Sequence, residues 1–342
     1  MFAALNSFQV GGITPIYVSE VFSTNLYTGT QATQTITNGI DLSTKGGMVW
    51  LKNRSAAYPH AIIDSPRGLT NGNILSSNST SGSQTSSPAN TAGISAFNTN
   101  GFTLRSDASE FGTNWGLFDN YVGWTFRKQP KFFDVVTYTG TGSNRTIAHN
   151  LGSVPGSIIV KAYGNMGGIG DASDWQVYHQ SIGNESRLVL NSTIAPTNVG
   201  SACWNSTTPT STVFSLGTNS NVNSNGVEYV AYLFANDAGG FGLSGNDNII
   251  SCGSATVVSN SATVTLGYQP QFVMLKSISS TPENWFIVDS QRGFPVSGLD
   301  NLLCPNLSNQ EGTGYYISPT STGFNFTGAP NYTYIYIAIK AS

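Results

Sequence analysis

Two five-residue stretches, DSPRG at 64–68 and DSQRG at 289–293, each set a carboxylate three residues ahead of a guanidinium and follow it with glycine. Only 9% of the chain is charged, against about 25% in an average domain, so a repeated Asp–Arg pair is the first place to look for chemistry. It is either a duplicated active site or one structural turn built twice. Other chemical signatures are thin. His60, His149 and His179 are the only histidines, and no HExxH or other close pair occurs, which argues against a zinc hydrolase. GISAF and GLSGN both lack the final glycine of a nucleophile elbow, and no phosphate-binding GxxxxGK[ST] is present. Cys203, Cys252 and Cys304 are odd in number and widely spaced, which excludes a complete disulfide framework and zinc spacing; they read as buried thiols. A glycosidase needs two carboxylates facing across a cleft. Asp107, Glu110, Asp119, Asp171, Asp174, Glu185 and Asp247 fall in polar loops with no pairing signalled. No catalytic residue, metal or cofactor is expected.

Aromatic residues are the richer feature. Trp175 and Trp285 occupy matching positions in a repeat and read as core. Trp115, in SEFGTNWGLFDN, and Trp204, in SACWNSTTP, have no repeated counterparts and lie in irregular polar stretches. These two are the candidates for a glycan or partner contact.

The elements that must position such groups are strands. Ser, Thr, Asn and Gly, including 38 glycines, replace the missing charge and favour turns and solvated strand faces over helices. One pattern is written three times. NLYTGTQATQTITNGIDL, VTYTGTGSNRTIAHNLGSVP and IISCGSATVVSNSATVTLGYQP open the copies. An apolar run ending in lysine follows each, at Lys52, Lys161 and Lys276, and then a second apolar strand: HAIIDSPRG, DWQVYHQSIG or NWFIVDSQRG. Later strands align Phe102, Phe214 and Phe324, and each copy closes on an alternating aromatic strand. A period of about 110 residues matches one small β-sandwich. The expected fold is all-β, three tandem β-sandwich units of jelly-roll or lectin-like type. The expected boundaries are an arm over 1–20 and units over 21–128, 129–238 and 239–342, with the glycine-rich 236–248 read as a flexible hinge.

Net charge is −3 with no basic stripe, which argues against nucleic-acid binding. The N-terminal residues lack the basic and continuous apolar regions of a secretion signal, and no apolar run approaches a membrane span, so no membrane insertion is expected. Nine Asn-X-Ser/Thr sequons, Asn78, Asn191 and Asn306 among them, are read as chance matches in a Ser/Thr-rich chain.

The segments KFFDVVTYTGTGSNRTIAHNLGSVPGSIIVKAYG, DWQVYHQSIG, VFSTNLYTGTQATQTITNGIDLSTKGGMVWLKNRS and NGVEYVAYLFAND resemble repeated β-sandwich domains in structural proteins of tailed bacteriophages of marine and freshwater bacteria. Through the repeat register the resemblance covers nearly all of the chain after residue 20; the third copy, which lacks the YTG start, departs most. It implies a virion component and carries no catalytic residues. The expected function is therefore a non-enzymatic protein of the particle surface, a tail fibre or adhesin or else a capsid-decoration component. The alternatives are a cellular surface lectin or filament subunit, and a tail-associated glycan hydrolase. Expected partners are other virion proteins through residues 1–20, further copies of the chain in a trimer or other homo-oligomer, and a host-surface glycan.

The repeat register also bears on DSPRG. Asp64, Arg67 and Gly68 align with Asp289, Arg292 and Gly293, whereas the middle copy has HQSIG, retaining only Gly183. A glycine common to all copies marks a chain reversal that needs positive φ. The Asp–Arg pair is then dispensable and, if exposed, worth about 0–1 kcal/mol.

Overall fold

The structure, a computed structural model, describes residues 14–70, 73–84, 91–107, 111–164, 172–279, 281–294, 300–314 and 316–342. Strands take up 46% of the described residues and helix 6%, so the all-β expectation holds. The first stretch contributes β1 (Phe22–Thr28), β2 (Gln34–Thr37), β3 (Gly47–Asn53), β4 (Ala61–Asp64), β5 (Ile94–Asn98), β6 (Gly101–Leu104) and β7 (Asn120–Arg127). The second contributes β8 (Phe133–Thr139), β9 (Arg145–Ala148), β10 (Pro155–Gly164), β11 (Gln176–His179), β12 (Ser186–Val189), β13 (Thr197–Asn198), β14 (Val213–Leu216) and β15 (Glu228–Ala235), with helical turns α1 (Ser201–Trp204) and α2 (Ser220–Asn223). The third contributes β16 (Ile250–Thr256), β17 (Ser261–Thr265), β18 (Pro270–Ser277), β19 (Trp285–Asp289), β20 (Asp300–Leu302), β21 (Gly312–Gly314), β22 (Tyr316–Thr320), β23 (Gly323–Thr327) and β24 (Thr333–Lys340).

The larger sheets run β1-β7-β3-β4, β8-β15-β10-β11-β12-β13 and β16-β24-β18-β19. In every stretch the first strand pairs with the last, the last with the third and the third with the fourth. The second strand pairs with the penultimate one in a separate smaller sheet: β2-β6-β5, β9-β14 and β17-β23-β22.

Alternation along the strands explains how the sheets pack. On β3, Val49 and Leu51 face Ile36, Phe102 and Leu104 of the small sheet, while Met48 and Trp50 belong to a second core on the opposite face. On β18, Val273 and Leu275 likewise face the small sheet, while Phe272 and Met274 join that same second core. The second core is shared by all three stretches. Phe126 meets Phe22 at 4.9 Å, Phe234 at 5.8 Å and Phe272 at 6.0 Å between ring centroids. Each fully buried aromatic contributes about 2–3 kcal/mol, and the three stretches bury these rings against one another.

The connections gather at one end. β1 and β7 pair from Phe22↔Phe126 to Thr28↔Asn120, so residues before β1 and after β7 share an end. Residues 14–16, 129–131 and 240–245 line one open groove there. The glycine-rich connection is no loose hinge: Phe241 is buried in the shared core, Gly242 N donates to Ile16 O, and Asp247 pairs with Lys340 at 2.7 Å. The arm expected over 1–20 is anchored in part, since Val18 is buried in that core; residues 1–13 lie outside the described residues.

The small sheets depend on close approach at a few glycines. At Gly101, φ is +117° and a Cβ would lie 2.0 Å from Ile36 O. Gly312 stands in open space without a positive φ. Gly101→Ala is expected to lose on the order of 1–3 kcal/mol, whereas Gly312→Ala should stay within about 0.5 kcal/mol of the parent. Urea midpoints of the two variants check this.

Candidate functional site

The DSPRG and DSQRG turns are buried. Arg67 Nε donates to Asp64 Oδ2 at 2.6 Å and its backbone N–H to Oδ1 at 3.1 Å; Arg292 repeats both bonds to Asp289 at 2.6 and 3.0 Å. All four side chains are almost fully enclosed. The pair, expected to be dispensable, is instead built into the interior: each carboxylate satisfies a buried guanidinium whose remaining N–H groups reach acceptors that include Ile62 O and Ile287 O. The glycines behave as turn residues. Gly68, Gly183 and Gly293 have φ of 78° or, for the first and last, 73° and 111°, directly after the fourth strand of each stretch and its one-turn bend.

Each carboxylate also takes a proton donor from another stretch. Tyr232 OH donates to Asp64 Oδ2 at 2.6 Å, and Trp124 Nε1 donates to Asp289 Oδ2 at 2.9 Å, with Arg292 stacked 5.4 Å over the Trp124 ring. Ile337 holds the matching place on β24 and offers no donor. The residue it meets is correspondingly not an aspartate: His179 reaches across instead, donating from Nε2 to Tyr336 O at 3.1 Å. The second stretch thus bonds to the first, the first to the third and the third to the second.

Two further contacts follow the same cyclic order. Lys52 Nζ donates to Asn53 O, Tyr58 O and, across the joint, Ser308 O at 3.0 Å. Lys161 reaches Thr80 O at 2.6 Å, and Lys276 reaches Thr193 O at 2.9 Å. Burial pushes these ammonium groups down, to about 7 for Lys52 and Lys161 and about 8 for Lys276. Trp175 Nε1 donates to Ser76 O and Ser79 O, Trp285 Nε1 to Val189 O, and His60, at the matching place, donates from Nε2 to Cys304 O. The acceptor loops begin at sequon asparagines: Asn78, Asn191 and Asn306 each accept the backbone N–H of His60, Trp175 or Trp285 through Oδ1. The sequence had marked these lysines only as strand ends and these asparagines as chance sequons. Their threefold alignment was the available signal for a joint.

The remaining candidates separate cleanly. Trp204, expected as a ligand platform, is buried in α1, with its indole N–H on Ser186 O and its ring edge-on to Tyr178; it offers no free face. Trp115 is 37% exposed, and beside it Leu117 is 55% and Phe118 76% exposed. Their loop is held firmly. Phe118 N donates to Gly29 O, Asp119 N to Gly116 O, and Tyr121 OH to Trp115 O, while Asp119 accepts from Asn53 Nδ2 at 2.9 Å. Phe118 has φ of 76°, a costly conformation for a bulky residue. The loop therefore holds apolar side chains outward against their tendency to bury.

Among the loop carboxylates, Asp107 accepts from Thr113 and Asn114, Asp174 from Asn191, and Asp247, across 93 residues, from Lys340. Glu110 and Asp171 lie outside the described residues. No cluster of metal-ligating side chains occurs among the described residues, and none of their helices is long and apolar enough to cross a membrane.

A family model described as a domain of unknown function, DUF7483, matches residues 17–341. The chain belongs to this family. That single match spans all three strand repeats together with the contacts that join them. No curated protein matches the chain.

Two outcomes follow from this buried network. Asp64→Asn leaves the Arg67 charge uncompensated and is expected to cost about 3–5 kcal/mol, whereas Tyr232→Phe, which removes one bond to the same oxygen, should cost about 1–2 kcal/mol; guanidinium midpoints compare the two. The second concerns acid. Burial lowers His179 to about 4 and His60 well below its ordinary value. The unfolded chain takes up these protons near pH 6.5 while the folded chain refuses them, so stability is full above that pH and falls as pH drops from 6.5 towards 4. His179 alone accounts for about 3 kcal/mol of the loss. Melting temperature should rise with pH from about 4 to about 6.5, and His179→Gln should flatten that rise.

Proposed function

We propose that the chain is a non-enzymatic structural protein of a bacteriophage particle, displayed on its outer surface as a tail-fibre, adhesin-type or capsid-decoration component. In this reading it consists of three tandem β-sandwich units closed into a ring about a common core. The cyclic network carries the proposal: Lys52, Lys161, Lys276, His60, His179, Asp64 and Asp289 are all engaged in buried bonds that join one stretch to the next. Such a use of ionisable groups suits a rigid scaffold. The resemblance to phage structural domains and the low charge agree with it.

The two ends of the scaffold take different roles in this proposal. The end where the connections gather, which Thr14 and Pro15 help to line, attaches to other virion proteins. The other end carries the Trp115–Phe118 loop, which lies about 20 Å away along β1, and makes the outward contact with host surface or neighbouring copies. Antibody-gold labelling of purified particles tests the reading. Label on the capsid or tail surface supports it. Label confined to a cell envelope would overturn it in favour of a cellular lectin or filament subunit. Deleting residues 1–13 is expected to remove the chain from particles without lowering its melting temperature. Leu117→Ser with Phe118→Ser should leave both incorporation and melting unchanged while weakening attachment of particles to cells.

A further inference from the structure

We infer that the third stretch carries a binding groove for one neutral sugar residue, at a place remote from the tryptophans that the sequence singled out. The groove encloses about 350 Å³, at the lower end of the range for small-molecule sites. Asn284, Asn309, Gln310 and Thr313 line it with amides and a hydroxyl, and Phe286 and Leu302 supply apolar surface. Apart from the Cys304 thiol, no ionisable side chain lines it among the described residues.

That lining selects a ligand class. An anion would need a cation or an array of N–H donors, and a cation would need a carboxylate. The nearby carboxylate, Glu311, is engaged by Arg54 at 2.7 and 2.8 Å and by Arg292 at 3.2 Å. Asn284 Oδ1 is taken by Asn306 Nδ2 at 2.7 Å, which leaves its amide N–H groups, whereas the amides of Asn309 and Gln310 can both donate and accept, as vicinal hydroxyl groups do. Leu302, half-buried, with the small exposed edge of the otherwise buried Phe286, gives an apolar patch that suits the C–H face of a pyranose ring.

The groove is built by the joint between stretches. One wall is the 305–314 segment, which the first stretch pins through Lys52 to Ser308 O, Ser77 Oγ to Pro305 O and Glu311 N to Arg54 O. A wall fixed before the ligand arrives reduces the ordering cost of binding. The other stretches lack the site's key surface. The residue matching Phe286 is Ala61 in the first, and in the second it is Gln176, whose amide oxygen is taken by Arg187 at 2.5 Å.

The inference rests on the display reading for its biological use, but its test needs only the isolated full chain. Saturation-transfer NMR and calorimetric titration would be run with glucose, galactose, mannose and N-acetylglucosamine, and with glucuronic and sialic acids as charged comparators. At least one neutral sugar is expected to bind with a millimolar or tighter Kd, and the charged sugars more weakly. Gly312→Trp directs a large side chain into the groove from a position with open space around its Cβ. It should weaken binding by about tenfold or more at unchanged melting temperature. Should that variant fold poorly, Asn309→Ala with Gln310→Ala, both at the exposed rim, serves the same purpose. Trp115→Ala should leave binding untouched. No binding by any neutral sugar, equal binding by the groove variants, or preference for the acids would overturn the inference. A negative result here with positive particle labelling sinks the groove alone; sugar binding with no label on particles sinks the display reading alone.

Discussion

A buried ammonium group needs acceptors for its protons, and at Lys52, Lys161 and Lys276 one of those acceptors belongs to another stretch of the fold. Lys52 has two of its three bonds near home, at Asn53 O and Tyr58 O, and the third at Ser308 O. Lys161 divides its bonds between Ser173 O and Thr80 O, and Lys276 between Glu283 O and Thr193 O. A stretch separated from its neighbours would expose this lysine and also strip a partner from the next stretch's acceptor loop. The shared aromatic core acts in the same sense, because Phe126, Phe234 and Phe272 are buried only when all three sheets are present. Hydrophobic burial supplies most of the gain, being worth more per residue than a net hydrogen bond. The polar ties supply direction: they fix which strand end meets which loop, and so the order in which the ring closes.

The Asp–His exchange shows that these ties are fitted to one another. An aspartate buried without a donor would cost several kcal/mol. Where the facing residue is Tyr232 or Trp124, an aspartate accepts its proton. Where the facing residue is Ile337, an aspartate would have only its own turn as partner, and His179 stands there instead. Its Nδ1 accepts from Ser181 N, which caps the bend as the aspartates do, and its Nε2 proton goes to a backbone oxygen across the joint. One position thus performs the same two tasks, capping its own turn and bonding its neighbour, with two different chemistries.

The sequence revealed strand type and repeat register because both are local: alternation places a side chain on one face of a sheet, and aligned glycines mark the reversals. It did not reveal what the second face meets. Met48, Trp50, Phe272 and Met274 alternate with Val49, Leu51, Val273 and Leu275, yet periodicity alone cannot say that one set lines a private core and the other a common one. Trp204 was misjudged for a related reason. Its neighbours are polar turn residues, which suggest a surface loop, but a large ring in such a loop can also close the end of a sheet, and its indole proton is held by Ser186 O. The DSPRG turn was read as geometry with its burial left open, since nothing within five residues indicates that Tyr232 covers it.

What repeats and what does not repeat divide along physical lines. The lysines, the His60/Trp175/Trp285 position and the sequon asparagines recur because every joint must solve the same burial problem. The Trp115–Phe118 loop occurs in the first stretch, β13 and the lengthening of β12 in the second, and the polar lining of the 305–314 wall in the third. The Trp115–Phe118 loop leaves apolar surface facing solvent, which folding alone disfavours, whereas β12 and the 305–314 wall also carry joint acceptors, Val189 O and Ser308 O. Glu311 connects the two classes: its carboxylate binds Arg292 of the repeated turn and Arg54 of the neighbouring stretch while its chain segment forms the groove wall. A fold whose three joints solve the same burial problem with different residues can tolerate change in the loops that lie beside them. Features used for recognition are therefore expected at the positions that break the threefold pattern, and the loop and the groove are two such positions.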